Sequence, residues 1–283
     1  MLVRPDLPED VPAQRELWKL AFGDSDAYID NFYRTYYRPE RVIVLEEDGA
    51  VRSMTAWFDT ALALPGQGDL RAAYLYAVAT HPNCRGRGLA GKLLAGADEY
   101  FRSLGIPAVT TVPAEPSLHN FFGANGFREC FVHGRFRKEE LTVPAGDCPC
   151  SIGLLPAAVY SSLREATLSG TVHIALPQEA AAYQEGICRL SGGGLYALET
   201  PLGTCTLCAE GMEDGSLLIK ELLGNPDARA CALDWLPRLL PGWSGHYRTQ
   251  EGTEPFGMLK WLDPALERRW NWDTAGYLGL AFD

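Results

Sequence analysis

The chain has 283 residues, 47% of them hydrophobic and 22% charged, a length and composition that build one large or two medium globular cores without covalent staples. Its 25 basic against 36 acidic side chains leave a net charge of −11, which disfavours nucleic acid as a partner and favours amine-bearing cations. No apolar run reaches the roughly 18 residues of a membrane helix, and the opening Met1-Leu2-Val3-Arg4-Pro5-Asp6 lacks a signal-peptide core, so a cytoplasmic protein with no membrane contact is expected.

After the apolar start at Leu2-Val3, helical spacing of Leu17, Leu20 and Ala21 and of Ile29, Phe32, Tyr33 and Tyr36 predicts helices over 9–22 and 24–37, with Asp24 as the cap between them. Residues 41–45 and 51–64 read as a hairpin on the Glu47-Asp48-Gly49-Ala50 turn. A third strand over 72–80 stops at His81-Pro82, because proline cannot extend a ladder. A helix over 87–104, a strand over 108–112, a short helix over 117–124 and a final strand pair after Phe127 complete the half. A Pro/Gly stretch at 142–149 reads as a linker, so the expected domains are 1–140 and 151–283. The second half predicts helices at 156–168, 177–190 and 226–239 and strands at 194–199, 204–210, 216–223, 243–248 and 256–262. That is the element order of the first half again, an internal repeat of topology with little repetition of residues. The second half is also the acidic one, with 9 basic against 17 acidic residues after position 140.

Eight cysteines in a chain of this length with no export signal are expected to stay reduced. The pairs Cys148-Pro149-Cys150 and Cys205-Thr206-Leu207-Cys208 lack the tight turns of zinc knuckles, and no metal site is expected.

Chemistry concentrates in residues 78–94, where a strand ends, a loop rich in Gly and Arg turns, and a helix begins. Amide N–H groups at a helix start point outward and the helix dipole adds positive potential, so the place suits a pyrophosphate. Gly86 and Gly88 let phosphate approach the backbone. The pattern is neither the three-glycine dinucleotide fingerprint nor a Walker loop, which needs Gly-Lys-Ser/Thr.

The run Arg85-Gly86-Arg87-Gly88-Leu89-Ala90 resembles the acetyl-coenzyme A loop of the GNAT acetyltransferase superfamily, Gln/Arg-x-x-Gly-x-Gly/Ala. Downstream, Phe121-Phe122-Gly123-Ala124-Asn125-Gly126-Phe127 resembles that family's Phe-Tyr-x-x-x-Gly-Phe segment. The resemblance covers residues 1 to about 140; the second half is similar only in element order, as in tandem acetyltransferases with a degenerate second copy. It implies an α/β fold with a GNAT-like mixed central sheet flanked by helices, followed by a second GNAT-like α/β domain that shapes the acceptor pocket or an oligomer interface. It further implies acetyl-CoA as co-substrate, its pyrophosphate on the amides of Arg85, Gly86, Arg87, Gly88, Leu89 and Ala90, and its pantetheine arm on the backbone of Val78 and Thr80. Arg87 and Lys92 are candidates for added charge contacts.

One departure matters: the family's proton-donating tyrosine falls at Phe122. His119 and Tyr76 are the substitutes considered, with Tyr74 beside them on the strand. Glu46, Asp59, Glu115, Asp24 and Asp26 are available carboxylates, and none is assigned as the base. The expected activity is acetyl transfer to a primary amine on a small molecule or peptide, by a chain able to form a homo-oligomer. A coenzyme A-binding sensor without turnover is the competing reading, motivated by Phe122 and the unassigned base. In the second half, Leu223-Gly224-Asn225-Pro226-Asp227-Ala228 stands where the loop should be, and Pro226 and Asp227 oppose phosphate there. The tryptophans Trp235, Trp243, Trp261, Trp270 and Trp272 read as core of that second half.

Overall fold

The computed structural model describes residues 1–138 and 148–282. Most of the linker expected at 142–149 lies outside them. Two compact units form, neither continuous in sequence: Met1–Cys130 with Gly257–Thr274, and Phe131–Phe256 with Ala275–Asp283.

In the first unit, β1 (Leu2–Pro5) is followed by helices α1 (Val11–Phe22) and α2 (Asp26–Thr35), then by β2 (Val42–Glu47), β3 (Ala50–Leu64) and β4 (Gly68–Thr80). Helix α3 (Leu89–Ser103), strand β5 (Ala108–Thr111), helix α4 (Pro116–Ala124) and strand β6 (Arg128–Arg137) follow, β6 crossing into the second unit. The β2–β3 turn is the expected one, with Asp48 at φ 52° and Gly49 at φ 73°, the left-handed pair that a two-residue hairpin turn needs. Ser25, not Asp24, caps α2: its Oγ accepts the Tyr28 N–H, while Asp24 accepts from Trp18 Nε1 at 2.7 Å. Leu89, Leu93, Leu94, Ala97 and Phe101 recur three or four apart on α3 and are all buried against the sheet. Each such leucine contributes about 2 kcal/mol by burial.

The sheet of this unit runs β1-β2-β3-β4-β5 and is completed by a strand from far along the chain. Met258, Leu259, Lys260 and Trp261 pair antiparallel with Thr111, Thr110, Val109 and Ala108. Lys260 also pairs with the buried Asp98 of α3 and lies 5.4 Å from the Phe127 ring. Residues 257–274, read from sequence as part of the second half, therefore belong to the first unit, and with them Trp261, Trp270 and Trp272. Of the five tryptophans read as core, Trp261 is buried and the others are half-buried.

The second unit holds β7 (Ser151–Leu154), α5 (Ala157–Leu168), β8 (His173–Ile174), α6 (Gln178–Leu190), β9 (Gly194–Thr200), β10 (Gly203–Gly211), β11 (Leu217–Leu223), α7 (Pro226–Leu239) and most of β12 (Trp243–Trp261). Its order is β7-β9-β10-β11-β12, antiparallel except for the parallel β11–β12 pair. The first unit has the same arrangement, with β4 and β5 as its parallel pair. Strand, two helices, hairpin, third strand, helix and parallel strand thus recur in both units, each a mixed sheet flanked by helices, the fold class expected. The two strands expected at 243–248 and 256–262 are one continuous strand, whose ends serve different units. Helix α8 (Pro264–Arg269), capped by Asp263, is short and lacked a periodic signal.

A buried polar network organises the second unit. Arg164 Nε donates to both oxygens of Glu221 at 3.1 Å, and the hydroxyls of Tyr160 and Tyr277 donate to the same carboxylate at 2.6 and 2.9 Å. Arg164 Nη2 donates to Leu278 O at 2.8 Å, which ties α5, β11 and the segment after residue 275 together. Every charge here is matched, which is the condition for burying an ion pair without heavy loss.

The cysteines do not all stay reduced: Cys148 is joined to Cys231 of α7, 83 residues apart in sequence. The bond takes Cys148 out of any zinc set with Cys150, Cys205 and Cys208. Chain entropy assigns a cross-link over so long a loop about 4.5 kcal/mol. Denatured protein should show six reactive thiols before and eight after treatment with dithiothreitol, and Cys231→Ser should lower the melting temperature in non-reducing buffer only. Eight thiols before reduction would contradict the pairing.

Candidate functional site

The β4–β5 ladder is short. Ala72, Ala73, Tyr74 and Leu75 pair with Ala108, Val109, Thr110 and Thr111, and there the parallel pairing ends, while β4 continues to Thr80. Two features separate the strands. Pro113, two residues beyond Thr111, has no N–H to extend the ladder. On β4, Ala77 adopts φ 51°, and the register against β3 shifts between Met54↔Ala79 and Ala56↔Tyr76, so that two β4 residues face the single Thr55. Thr55 Oγ1 donates to Tyr76 O at 3.1 Å and Ser53 Oγ to Ala79 O at 2.7 Å, holding the bulge from the β3 side. Among the described residues no ladder covers the β5 side of residues 76–80, a strand edge that carries Val78 and Thr80.

That edge runs directly into the Gly/Arg loop. His81 Nδ1 accepts the Asn83 N–H, and Cys84, 7% exposed, anchors the turn in the core. Gly86 and Gly88 have φ of 75° and 73°, and a Cβ built on either meets nothing within 4 Å. Glycine is thus required by backbone conformation, and the space beside it is open. No side chain caps α3, so the first amides of the helix face outward over Arg85, Gly86, Arg87 and Gly88, all exposed, with Leu89 buried and Ala90 half-buried behind them. A pyrophosphate fits such an end, because the donors are oriented and not engaged by a cap.

The cations divide. Arg85 Nε donates to Thr80 O at 3.3 Å, which braces the loop. Arg87 forms a bidentate pair with Glu47 on β2, both contacts at 2.9 Å, and its guanidinium holds the Glu47 carboxyl below the usual carboxylate range. Lys92 is exposed. Glu47 had no signal in sequence as a partner of the loop, since the pair forms across forty residues.

The candidate proton groups are placed apart. His119 Nδ1 lies 2.6 Å from Glu129 Oε1 in an exposed pair. Phe122 is 4% exposed, packed edge-on against Phe121 at 5.2 Å and Phe127 at 5.4 Å in the core. Tyr76 is the first β4 residue past the end of the β5 ladder, half-buried, with its hydroxyl 3.1 Å from that of Tyr28 on α2. The carboxylates considered as bases all have partners: Glu46 with Arg4, Asp59 with Arg71, Glu115 with Ser117, Asp24 with Trp18 and Asp26 with Lys19 and Arg15.

The second unit treats the equivalent turn differently. Asn225 caps α7 by accepting the Ala228 N–H at 2.8 Å and donates to Leu202 O, and Pro226 occupies the first helical turn. A Cβ on Gly224 would lie 2.7 Å from Cys205 Sγ. This helix start is capped and closed where that of α3 is open.

Comparison with known proteins speaks to the fold and to the domain of residues 3–127. Residues 3–127 match the family model described as acetyltransferase (GNAT) domain. Among solved structures, the chain is similar to a GCN5-related N-acetyltransferase from Anabaena variabilis, with 17% identity and a TM-score of 0.69 over 93% of this chain and 73% of that one. It is similar also to a GCN5-related N-acetyltransferase from Kribbella flavida, with 16% identity and a TM-score of 0.66 over 91% and 70%, and to Eis1 from Mycobacterium abscessus, with 14% identity and 0.62 over 93% and 74%. At these identities the likeness is one of fold. No curated protein sequence matches. Residues 3–127, under half of the chain, thus hold a GNAT acetyltransferase domain. Among the described residues, no helix is long and apolar enough to cross a membrane.

Glu47 places a negative charge at the rim of the loop and holds Arg87. Glu47→Gln should therefore tighten coenzyme A binding by about threefold at low ionic strength, an advantage that shrinks with added salt. Unchanged or weaker affinity by calorimetry would mean that the Glu47–Arg87 pair does not face the bound phosphates.

Proposed function

We propose that the first unit is an N-acetyltransferase that moves an acetyl group from acetyl-CoA to a primary amine of a small molecule or peptide. The observation that carries this reading is the continuity of two features: the β4 edge left open past Leu75↔Thr111, and the uncapped α3 start at Gly88 into which it leads. Acetyl-CoA, when bound, supplies an activated acetyl thioester, and the chain's own residues do the rest. Amides over residues 85–90 would hold the pyrophosphate, and the backbone N–H and C=O groups of Val78 and Thr80 would bond the pantetheine arm as an added strand would be bonded. Positioning of an amine against the thioester carbon lowers the barrier, while the amine gives up a proton and the departing thiolate gains one.

Of the two proton groups considered, Tyr76 is favoured over His119. Its ring stands at the point where the strands part, whereas the His119 imidazole is paired with Glu129. Phe122 offers no hydroxyl, and its ring is packed in the core. That favours modest turnover, and it is also the observation behind the second reading, a coenzyme A-binding module without turnover.

The second unit is read as a degenerate copy of the same fold. The Asn225 cap, Pro226 and Asp227 at the α7 start argue against a second pyrophosphate site. On β11 the pairing with β12 ends at Ile219↔Tyr247, and the stretch beyond carries Lys220 and Glu221, buried and engaged with Glu210, Arg164, Tyr160 and Tyr277.

Calorimetric titration of the full chain with coenzyme A should give one site per chain. Gly88→Asp, which inserts a side chain at positive φ and a negative charge at the helix start, should weaken it by about a hundredfold while leaving the circular dichroism spectrum unchanged. Unchanged affinity in that folded variant, or two sites per chain, would contradict the assignment. Acetyl-CoA consumption with a panel of amines separates transfer from binding without turnover.

A further inference from the structure

The Tyr28–Tyr76 hydroxyl pair has no counterpart in the motifs that identify the family, and it stands where the β4–β5 ladder ends. Tyr76 precedes the bulged Ala77, and its ring is fixed by Trp18 at 5.5 Å, Phe58 at 5.4 Å and Phe32 at 6.3 Å, each of these 1% exposed. An aromatic ring held on three sides has little freedom, and its hydroxyl is placed to the accuracy of the core. Tyr28 approaches from α2, in the first turn, where Ser25 Oγ accepts its N–H at 3.2 Å. Helix capping therefore sets the height of Tyr28, and the two phenol oxygens meet at 3.1 Å.

Charge is balanced elsewhere on the same side. Asp24 is engaged by Trp18, Asp26 by Lys19 and Arg15, and Asp30 by Arg15. These carboxylates are held in local contacts of the α1–α2 region. Either hydroxyl can donate to the other; where Tyr28 donates, the Tyr76 oxygen keeps a lone pair with which to accept from an amine N–H and its own proton is left to give, so the partner hydroxyl decides which way that proton points.

Resting on the acetyltransferase reading, we propose that Tyr28 is a positioning residue for the acceptor: its hydroxyl orients that of Tyr76, and the oriented pair receives the N–H of a primary amine beside the open edge of β4. Tyr28 acts through Tyr76 and does not touch the coenzyme. Its contribution belongs to the acceptor side of the kinetics.

The test uses the full chain, acetyl-CoA and the best amine from a panel. Tyr28→Phe removes one oxygen and leaves the ring, so the melting temperature and the coenzyme A affinity should stay at the wild-type values. The kcat/KM for the amine should fall by about tenfold while KM for acetyl-CoA is unchanged. Tyr76→Phe should lose at least as much, and the double variant should be no worse than Tyr76→Phe alone, because Tyr28 acts on the acceptor through the Tyr76 hydroxyl. Wild-type amine kinetics in Tyr28→Phe, losses that multiply in the double variant, or a loss expressed in KM for acetyl-CoA would each overturn the proposal. Binding of coenzyme A without consumption of acetyl-CoA by any amine would overturn the acetyltransferase reading beneath it, and a wild-type enzyme with an indifferent Tyr28→Phe overturns the positioning role alone.

Discussion

A parallel strand pair that stops early is the constraint from which the candidate site follows. Hydrogen bonds between β4 and β5 hold only as far as Leu75↔Thr111. Pro113 on one strand and the left-handed Ala77 on the other make continuation unfavourable. Had the ladder closed to Thr80, the backbone of Val78 and Thr80 would be used up within the sheet. The early stop also brings the chain to Gly86 and Gly88 at the start of α3, so that a strand edge and a helix end, both with backbone groups to offer, adjoin. Tyr76 is displayed by the same break, since it is the first residue past the last pair.

The second unit repeats the order of elements and removes these properties one at a time. Its helix start is capped by Asn225, its glycine at 224 lies against Cys205, and the strand beyond Ile219 carries Glu221 into a closed network with Arg164, Tyr160 and Tyr277. A buried carboxylate with three partners is costly to disturb, and removing one member of such a pair costs about 3–5 kcal/mol. The stretch that in the first unit is left open is thus consolidated in the second as structure, and the Cys148–Cys231 bond adds a covalent tie to α7.

Local signals were legible in the sequence. The Asp48-Gly49 turn, the strand end at His81-Pro82, the apolar stripe of α3 and the Gly/Arg loop all declare themselves within a few residues, and the structure places each of them accordingly. Features made by distant residues were not. The strand expected at 256–262 pairs through residues 258–261 with the first sheet, and Lys260 meets Asp98 across 162 positions, partners to which no periodicity or turn signal leads. The same holds for the Glu47–Arg87 pair, the disulfide and the Tyr28–Tyr76 contact. Ser25 against Asp24 is a closer miss: both residue types cap helices, and a shift of one position decides which does.

Hydrogen–deuterium exchange of the full chain with and without saturating coenzyme A tests most directly whether the open edge of β4 and the bare start of α3 form one binding site, present in the first unit only. Slowed exchange is predicted over residues 76–92, where edge and helix-start amides would gain partners, with no change over 217–230. Protection confined to 217–230, or exchange unaltered over 76–92 under saturating ligand, would contradict the account.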